Sequence, residues 1–331
     1  MIDAILNKLS AVPEIGVAPI LHTAYQDKFI HSLKEIIDYA DKMLGNDYQS
    51  LLNRIAIIES QSPKFISPRL YSSYFKLLKA MQNDDVTLVK QIISALKTED
   101  YAWSMQEMQV NLGLQESWEK QIFYEEVCVA FGSDKLQAST PLSSQLEQFQ
   151  ADVQEAIKLI IAADFKFATE IETLVSTLFL VESKVSVGAT SPMFFGAIYL
   201  SLPKSHIENS TMLFLIEHLV HETSHLFLNT ILAYDPLILN EPTELFCSPI
   251  RTDLRPLLGI YHATFVLSRV IRIFKQIKHL SFYFKQKTLE DAISSLTKKY
   301  ERAYQTTNQQ ASFTPLGKQI FISTRECALL N

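Results

Sequence analysis

The sequence predicts a mainly α-helical protein with a small β-sheet or hairpin just ahead of one chemically distinctive helix. Three observations lead there. Apolar residues fill 47% of the 331 positions and only 8 are glycine, too few for the turns of an all-β architecture. Apolar side chains recur at three- and four-residue spacing through residues 25 to 97, the period of helices with one buried face. β-branched and aromatic residues, which suit a pleated strand, concentrate around 184 to 201.

Taken in chain order, Phe29, Ile30, Leu33, Ile36, Ile37, Ala40 and Leu44 mark a first helix, and similar spacing predicts helices around 48–58, 68–81 and 85–97. His22 and His31 fall in this part as surface or core residues. The stretch 133–141 is polar and ends in Pro141, the composition of a linker. It separates an N-terminal helical region, 1–140, from 141–331, unless the two form one continuous domain. A long helix is expected over about 144 to 168. Two strands follow, Lys184–Val187 and Phe194–Ser201, the second ending at Pro203. A strand beside the next helix would either hold an extended peptide by edge pairing or simply pack that helix.

That helix opens with Asn209 or Ser210 as cap, runs without Gly or Pro through Leu228, and has Pro236 beyond its end,. It contains His221-Glu222-Thr223-Ser224-His225, an HExxH motif. Four residues turn an α-helix slightly past one revolution, so His221 and His225 point the same way and can share one metal ion. An apolar helix seldom buries two imidazoles and a carboxylate without a shared partner.

A working metal needs at least one further ligand. The metzincin continuation is excluded, because Leu228 and Ile231 stand where that class has Gly and His,. Glu241 and Glu244 are candidates, but they sit in a polar loop interrupted by Pro242. His262 is the stronger one: it lies in Arg255–Leu267, an expected helix apolar nearly all round, where a buried imidazole wants a partner,. His218 shares the face of His221 and His225 and is assigned to the pocket lining.

Charge and cysteine content narrow the function classes. A net charge of −6 argues against a nucleic-acid binder. Arg269, Arg272, Lys275, Lys278, Lys285 and Lys287 make a local basic stretch, read as a solvated helix face before an anion dock. Cys128, Cys247 and Cys327 are odd in number and widely spaced, which predicts no disulfide framework,. No signal peptide and no membrane span of about 18 uncharged apolar residues is expected. A reduced cytoplasmic setting follows, and a homo-oligomer is compatible with the sequence.

The motif, preceded by Gly196-Ala197-Ile198-Tyr199-Leu200-Ser201 and followed by Arg255-Pro256-Leu257 and Gly259-Ile260-Tyr261-His262, resembles the HExxH-motif peptide-modification proteins encoded beside ribosomally made peptide natural products. Thr314-Pro315-Leu316-Gly317 is similar to that family's closing segment. The likeness covers about residues 180 to 320 and leaves the N-terminal half unmatched. It implies an iron(II)- and 2-oxoglutarate-dependent hydroxylase acting on a side-chain β-carbon of a precursor peptide. By the same resemblance His221, His225 and His262 would hold the iron. A cosubstrate carboxylate needs a cation, and Arg suits it by its planar fork of donors; Arg255, Arg251 and Arg269 are the candidates, each equally able to be a salt bridge.

Two other readings compete. In a zinc peptidase, His221, His225 and one of Glu244, Glu241 or His262 would hold zinc, and Glu222 would be general base for the bound water. A non-catalytic helical protein with a structural metal would show a closed four-ligand site.

Overall fold

The computed structural model describes residues 5–44, 48–61, 64–98, 104–139, 143–184, 186–201, 208–248, 253–280 and 284–329. Most of them are helical, with small sheets, as the sequence predicts. The chain divides into two compact units, Met1–Leu21 with Leu142–Glu172 and Pro203–Asn331, and His22–Pro141 with Thr173–Leu202.

The second unit carries all but the first turn of α1 (Val17–Leu44), then α2 (Gln49–Gln61), α3 (Pro68–Gln82), α4 (Val86–Thr98) and α5 (Ser117–Ile122). The four predicted helices are α1 to α4. Ser67 caps α3 by accepting from Arg69 N, with Pro68 at its first position, where a missing N–H costs nothing. α5 continues as a π turn, Phe123–Cys128.

A sheet in the order β3 (Gln109–Leu112), β5 (Thr177–Ser183), β7 (Ala197–Ser201), β6 (Gly188–Ala189) completes this unit, with β4 (Ala138–Ser139) also on β5; β1 (Phe65–Ile66) and β2 (Ser104–Met105) pair separately. The β content therefore starts earlier than predicted. Thr177–Val181 is a continuous buried run, the pattern of a strand covered on both faces, and such a run lacks the alternation that flags a strand. Of the expected strand Lys184–Val187, Val185 lies outside the described residues and the others are not strand. Ala197–Ser201 has β5 along its whole length and β6 on Tyr199 and Leu200, which leaves little edge for the peptide-pairing alternative. Gly196, at φ +88°, turns the chain into β7, and a Cβ there would meet Ser176 Oγ at 2.7 Å. His22 is buried against Gln26, which donates to its Nε2 at 2.8 Å, while His31 sits exposed beside Glu35.

The first unit is a bundle. The expected helix over 144–168 is two, α6 (Ser143–Ala163) and α7 (Phe165–Leu174), broken where Asp164 Oδ1 accepts from Lys166 N and Phe167 N. α8 (Glu208–Leu232) carries the motif. β8 (Leu245–Cys247) and β9 (Leu254–Pro256) form a short hairpin before α9 (Leu257–Leu280), then α10 (Gln286–Gln310) and α11 (Pro315–Leu329). α9 packs against α6, α8, α10 and α11. It is long and apolar enough to cross a membrane by length and composition, but 72% of its most apolar window is buried inside the fold, so here it is the core helix.

The segment Thr314–Gly317 has a definable task. Thr314 Oγ1 donates to Asp235 Oδ1 at 2.6 Å and accepts from Gly317 N, and Thr314 N donates to Leu237 O. Gly317 lies so close to the loop after α8 that a Cβ would stand 2.0 Å from Leu237 O. Tyr261 OH donates to Gly317 O at 3.1 Å. The exit of α8 and the start of α9 are thus fastened by one four-residue segment. The three cysteines are free, Cys128 and Cys327 buried and Cys247 exposed.

Candidate metal centre

Most of α8 from Thr211 onward is buried on every side. Leu213, Leu215, Ile216, Leu219, Val220, Leu226, Phe227 and Leu228 lie in the core, and so do Glu222, Thr223 and Ser224. One stripe stays half-buried: Phe214, Glu217, His218, His221, His225 and Asn229. The spacing of three and four puts these residues on a single helix face. Three of the chain's 8 histidines therefore share the one open strip of an otherwise closed helix. On α9 the matching open positions are Leu258, Gly259, His262 and Ala263.

The structure brings His221, His225 and His262 together. His225 Nε2 stands 3.2 Å from His221 Nε2, and His225 Nδ1 stands 3.1 Å from His262 Nδ1. Ring centroids are 4.9 Å apart in the first pair and 5.3 Å in the second. Burial, then the neighbouring His262, push His225 down to about 3, and burial pushes His262 down to about 4. Both rings are neutral near pH 7, the state that ligates metals.

The fit to a metal ion was legible for two ligands. Nitrogens at about 2.0–2.1 Å from one ion, at ordinary angles, are roughly 2.9–3.4 Å apart, and the His221 and His225 Nε2 atoms match that. His262 is placed differently from the expectation of a third ligand, for it faces the Nδ1 edge of His225, away from the Nε2 pair. A ligating histidine commonly gives its second N–H to an acceptor that fixes the ring, and His262 Nδ1 occupies that acceptor's place. Among the described residues no group of three His, Cys, Asp or Glu side chains is disposed to hold an ion.

The remaining candidates separate clearly. Glu222 is 4% exposed and lies off the open stripe; burial raises its carboxyl to about 8. Glu241 and Glu244 are exposed, and Glu244 accepts from Asn240 Nδ2 at 3.1 Å. Arg251 lies outside the described residues. Arg255 is in β9, two residues before the helix it was expected to open, and Nη2 pairs with Asp253 at 2.7 Å. Its Nε is buried without a partner, and its Cβ lies 3.9 Å from where a Gly259 Cβ would be. Arg255 thus stands beside the open face of α9, one turn ahead of His262.

Arg269 is elsewhere. It is fully buried, donates through Nη2 to Glu170 Oε1 at 2.6 Å and through Nε to Ala11 O at 2.9 Å, and lies over the rings of Phe167, Phe227 and Phe265. The salt-bridge reading holds for it. Within the basic stretch Arg272 binds Asp164 and Lys278 binds Glu290, each at 2.8 Å, while Lys285 and Lys287 are exposed.

Sequence reasoning placed His218 on the right face but passed over Phe214 and Glu217. The signal was present, since 214, 217 or 218, 221 and 225 keep the same helical spacing. The chain matches no protein-family model and no curated protein.

Proposed function

We propose that this chain is a metal-dependent peptide-modifying enzyme, an iron(II)- and 2-oxoglutarate-dependent hydroxylase of a side-chain β-carbon in a ribosomally made precursor peptide, working in the cytoplasm. The observation that carries the metal reading is the pair of Nε2 atoms, 3.2 Å apart on the one open stripe of α8. His221 and His225 would hold the ion, with His262 keeping the His225 ring in place. The choice of iron and 2-oxoglutarate draws on the resemblance of the flanking segments.

When bound, iron would let dioxygen and 2-oxoglutarate react so that carbon dioxide leaves, one oxygen atom enters succinate and the other enters a substrate C–H bond. The chain's own residues then have three tasks. The neutral imidazoles of His225 and His262 supply lone pairs and a hydrogen bond. Arg255, with an unpartnered buried Nε beside the open face, is the cation best placed for a cosubstrate carboxylate. Arg269 has no such part, because it is sealed in the core against Glu170, with neither side chain more than 1% exposed.

The position of Glu222 favours this reading over the zinc peptidase. A general base must reach the metal-bound water from the open side, and Glu222 is buried, 4% exposed, off the half-buried stripe. The test loads the chain with iron(II) under anaerobic conditions, adds 2-oxoglutarate, air and a candidate peptide, and follows succinate and peptide mass. Succinate formation with a mass gain of one oxygen is expected, and Glu222→Gln should retain activity within roughly ten-fold. A peptide shortened by hydrolysis with zinc and without oxygen, abolished by Glu222→Gln, would overturn the proposal.

A further inference from the structure

The open stripe of α8 extends two turns beyond the histidine pair, towards the helix start, and those turns have a chemistry of their own,. His218 Nδ1 lies 2.8 Å from Phe214 O. A carbonyl oxygen only accepts, so Nδ1 carries the proton and, in the neutral ring, Nε2 is a bare acceptor. The Phe214 ring stacks on His218 at 4.2 Å with a 28° tilt, which fixes the direction in which Nε2 points.

His218 does not belong to the metal pair. Its ring centroid is 6.4 Å from that of His221, against 4.9 Å between His221 and His225. Two imidazoles bound at adjacent positions of one ion at about 2.0–2.1 Å have centroids roughly 4.5–5.2 Å apart. His218 thus borders whatever occupies the space beside the ion. Glu217 lies on the same strip, four residues before His221, and no Lys or Arg among the described residues forms an ion pair with it. The three half-buried groups present a carboxylate, an imidazole lone pair and a ring. Among them stands no free donor, so their complement is a positively charged donor.

We propose that Phe214, Glu217 and His218 form a subsite beside the histidine pair that takes a cationic, hydrogen-bond-donating group of the substrate, a guanidinium or an ammonium. The assignment of that group to a substrate rests on the preceding reading of His221 and His225 as the metal pair. Binding at this subsite would fix which part of a peptide faces the ion.

The test uses the full chain, metal-free, and three probes: N-acetyl-arginine amide, N-acetyl-leucine amide and N-acetyl-glutamate amide. Binding is followed by NMR of the ¹⁵N-labelled histidine rings. The arginine probe should bind about ten-fold tighter than the other two and shift the His218 ring nitrogens in a saturable way. Glu217→Gln and His218→Asn should each weaken it by about ten-fold. His218→Gln, which puts an amide oxygen near the place of Nε2, should stay within roughly three-fold. Thermal unfolding of each variant checks that it is folded. Equal affinity for the three probes, or affinity unchanged in Glu217→Gln and His218→Asn, would overturn the subsite. Failure of His221 and His225 to bind metal would sink the metal reading alone, because the titration needs no metal.

Discussion

Two polar clusters sit inside the apolar helices of the first unit, and they are built in opposite ways. Around Arg269 the charge is sealed: the guanidinium meets the Glu170 carboxylate at 2.6 Å, the Ala11 carbonyl and three aromatic rings, with neither side chain more than 1% exposed. Along α8 the polar groups are half-open, and nitrogens face nitrogens at 3.1 and 3.2 Å. A fully buried ion pair offers no face to a ligand, even though Arg269 Nη1 and Glu170 Oε2 have no hydrogen-bond partner,. The neutral rings of His225 and His262, each with only one proton to share, keep a lone pair for a ligand or a partner,. The contrast fits a structural part for the first cluster and the proposed ligand-binding part for the second.

The largest effect should come from splitting the sealed cluster. Arg269→Ala or Glu170→Ala leaves a buried charge alone and should cost about 3–5 kcal/mol of stability, read by denaturant unfolding, without changing the metal affinity of the folded protein. Replacing both by apolar residues of similar volume should recover most of that loss. If either single variant bound metal or 2-oxoglutarate more weakly while remaining folded, the separation of the two clusters would fail.

A smaller effect is expected on the open cluster's supporting residue. His262→Ala should lower metal affinity by about 10–100-fold, the usual result of losing a partner that orients a ligand. His262→Asn, which keeps a polar atom near Nδ1, should recover part of it. A loss as large as that of His225→Ala would instead put His262 in the ligand set.

The most gradual effect is a pH slope in the metal-free chain. Folded His225 and His262 are held at about 3 and about 4, against an ordinary 6.5 in the unfolded chain. Between pH 6.5 and 4 the unfolded state therefore binds more protons, and stability falls as pH falls. Each group contributes up to about 1.4 kcal/mol per pH unit in that window. Buried His22, held at about 4 by desolvation and Lys64, adds to the slope from the second unit. His225→Gln with His262→Gln should flatten the curve, and a slope unchanged in that variant would show that the rings are not desolvated.

Much of this was legible in the sequence where one physical cause dominates. Helical period located α1 to α4, and the motif spacing placed His221 and His225 on one face. It was less legible where two causes compete. Arg255 has a helical neighbourhood, yet Pro256 at the next position disfavours helix at the residue before it, and Arg255 lies in β9. Thr177–Val181 reads as an apolar run that fits either a buried strand or a helix. Arg269 satisfied every sequence criterion for an anion site, but its anion, Glu170, lies 99 residues away, and no spacing rule reaches that far. His262 was found because a buried imidazole needs a partner; which nitrogen it would face depends on tertiary packing.

The most direct measurement is iron(II) retained per chain after anaerobic loading and desalting, for the unaltered protein, His221→Ala, His225→Ala and Arg269→Lys. One equivalent is expected in the unaltered protein and in Arg269→Lys, and a loss of affinity of at least about a thousand-fold in both histidine variants, since each removes one of two protein ligands. Equal iron in all four proteins, or none in any, would contradict the assignment of the open stripe as a metal centre.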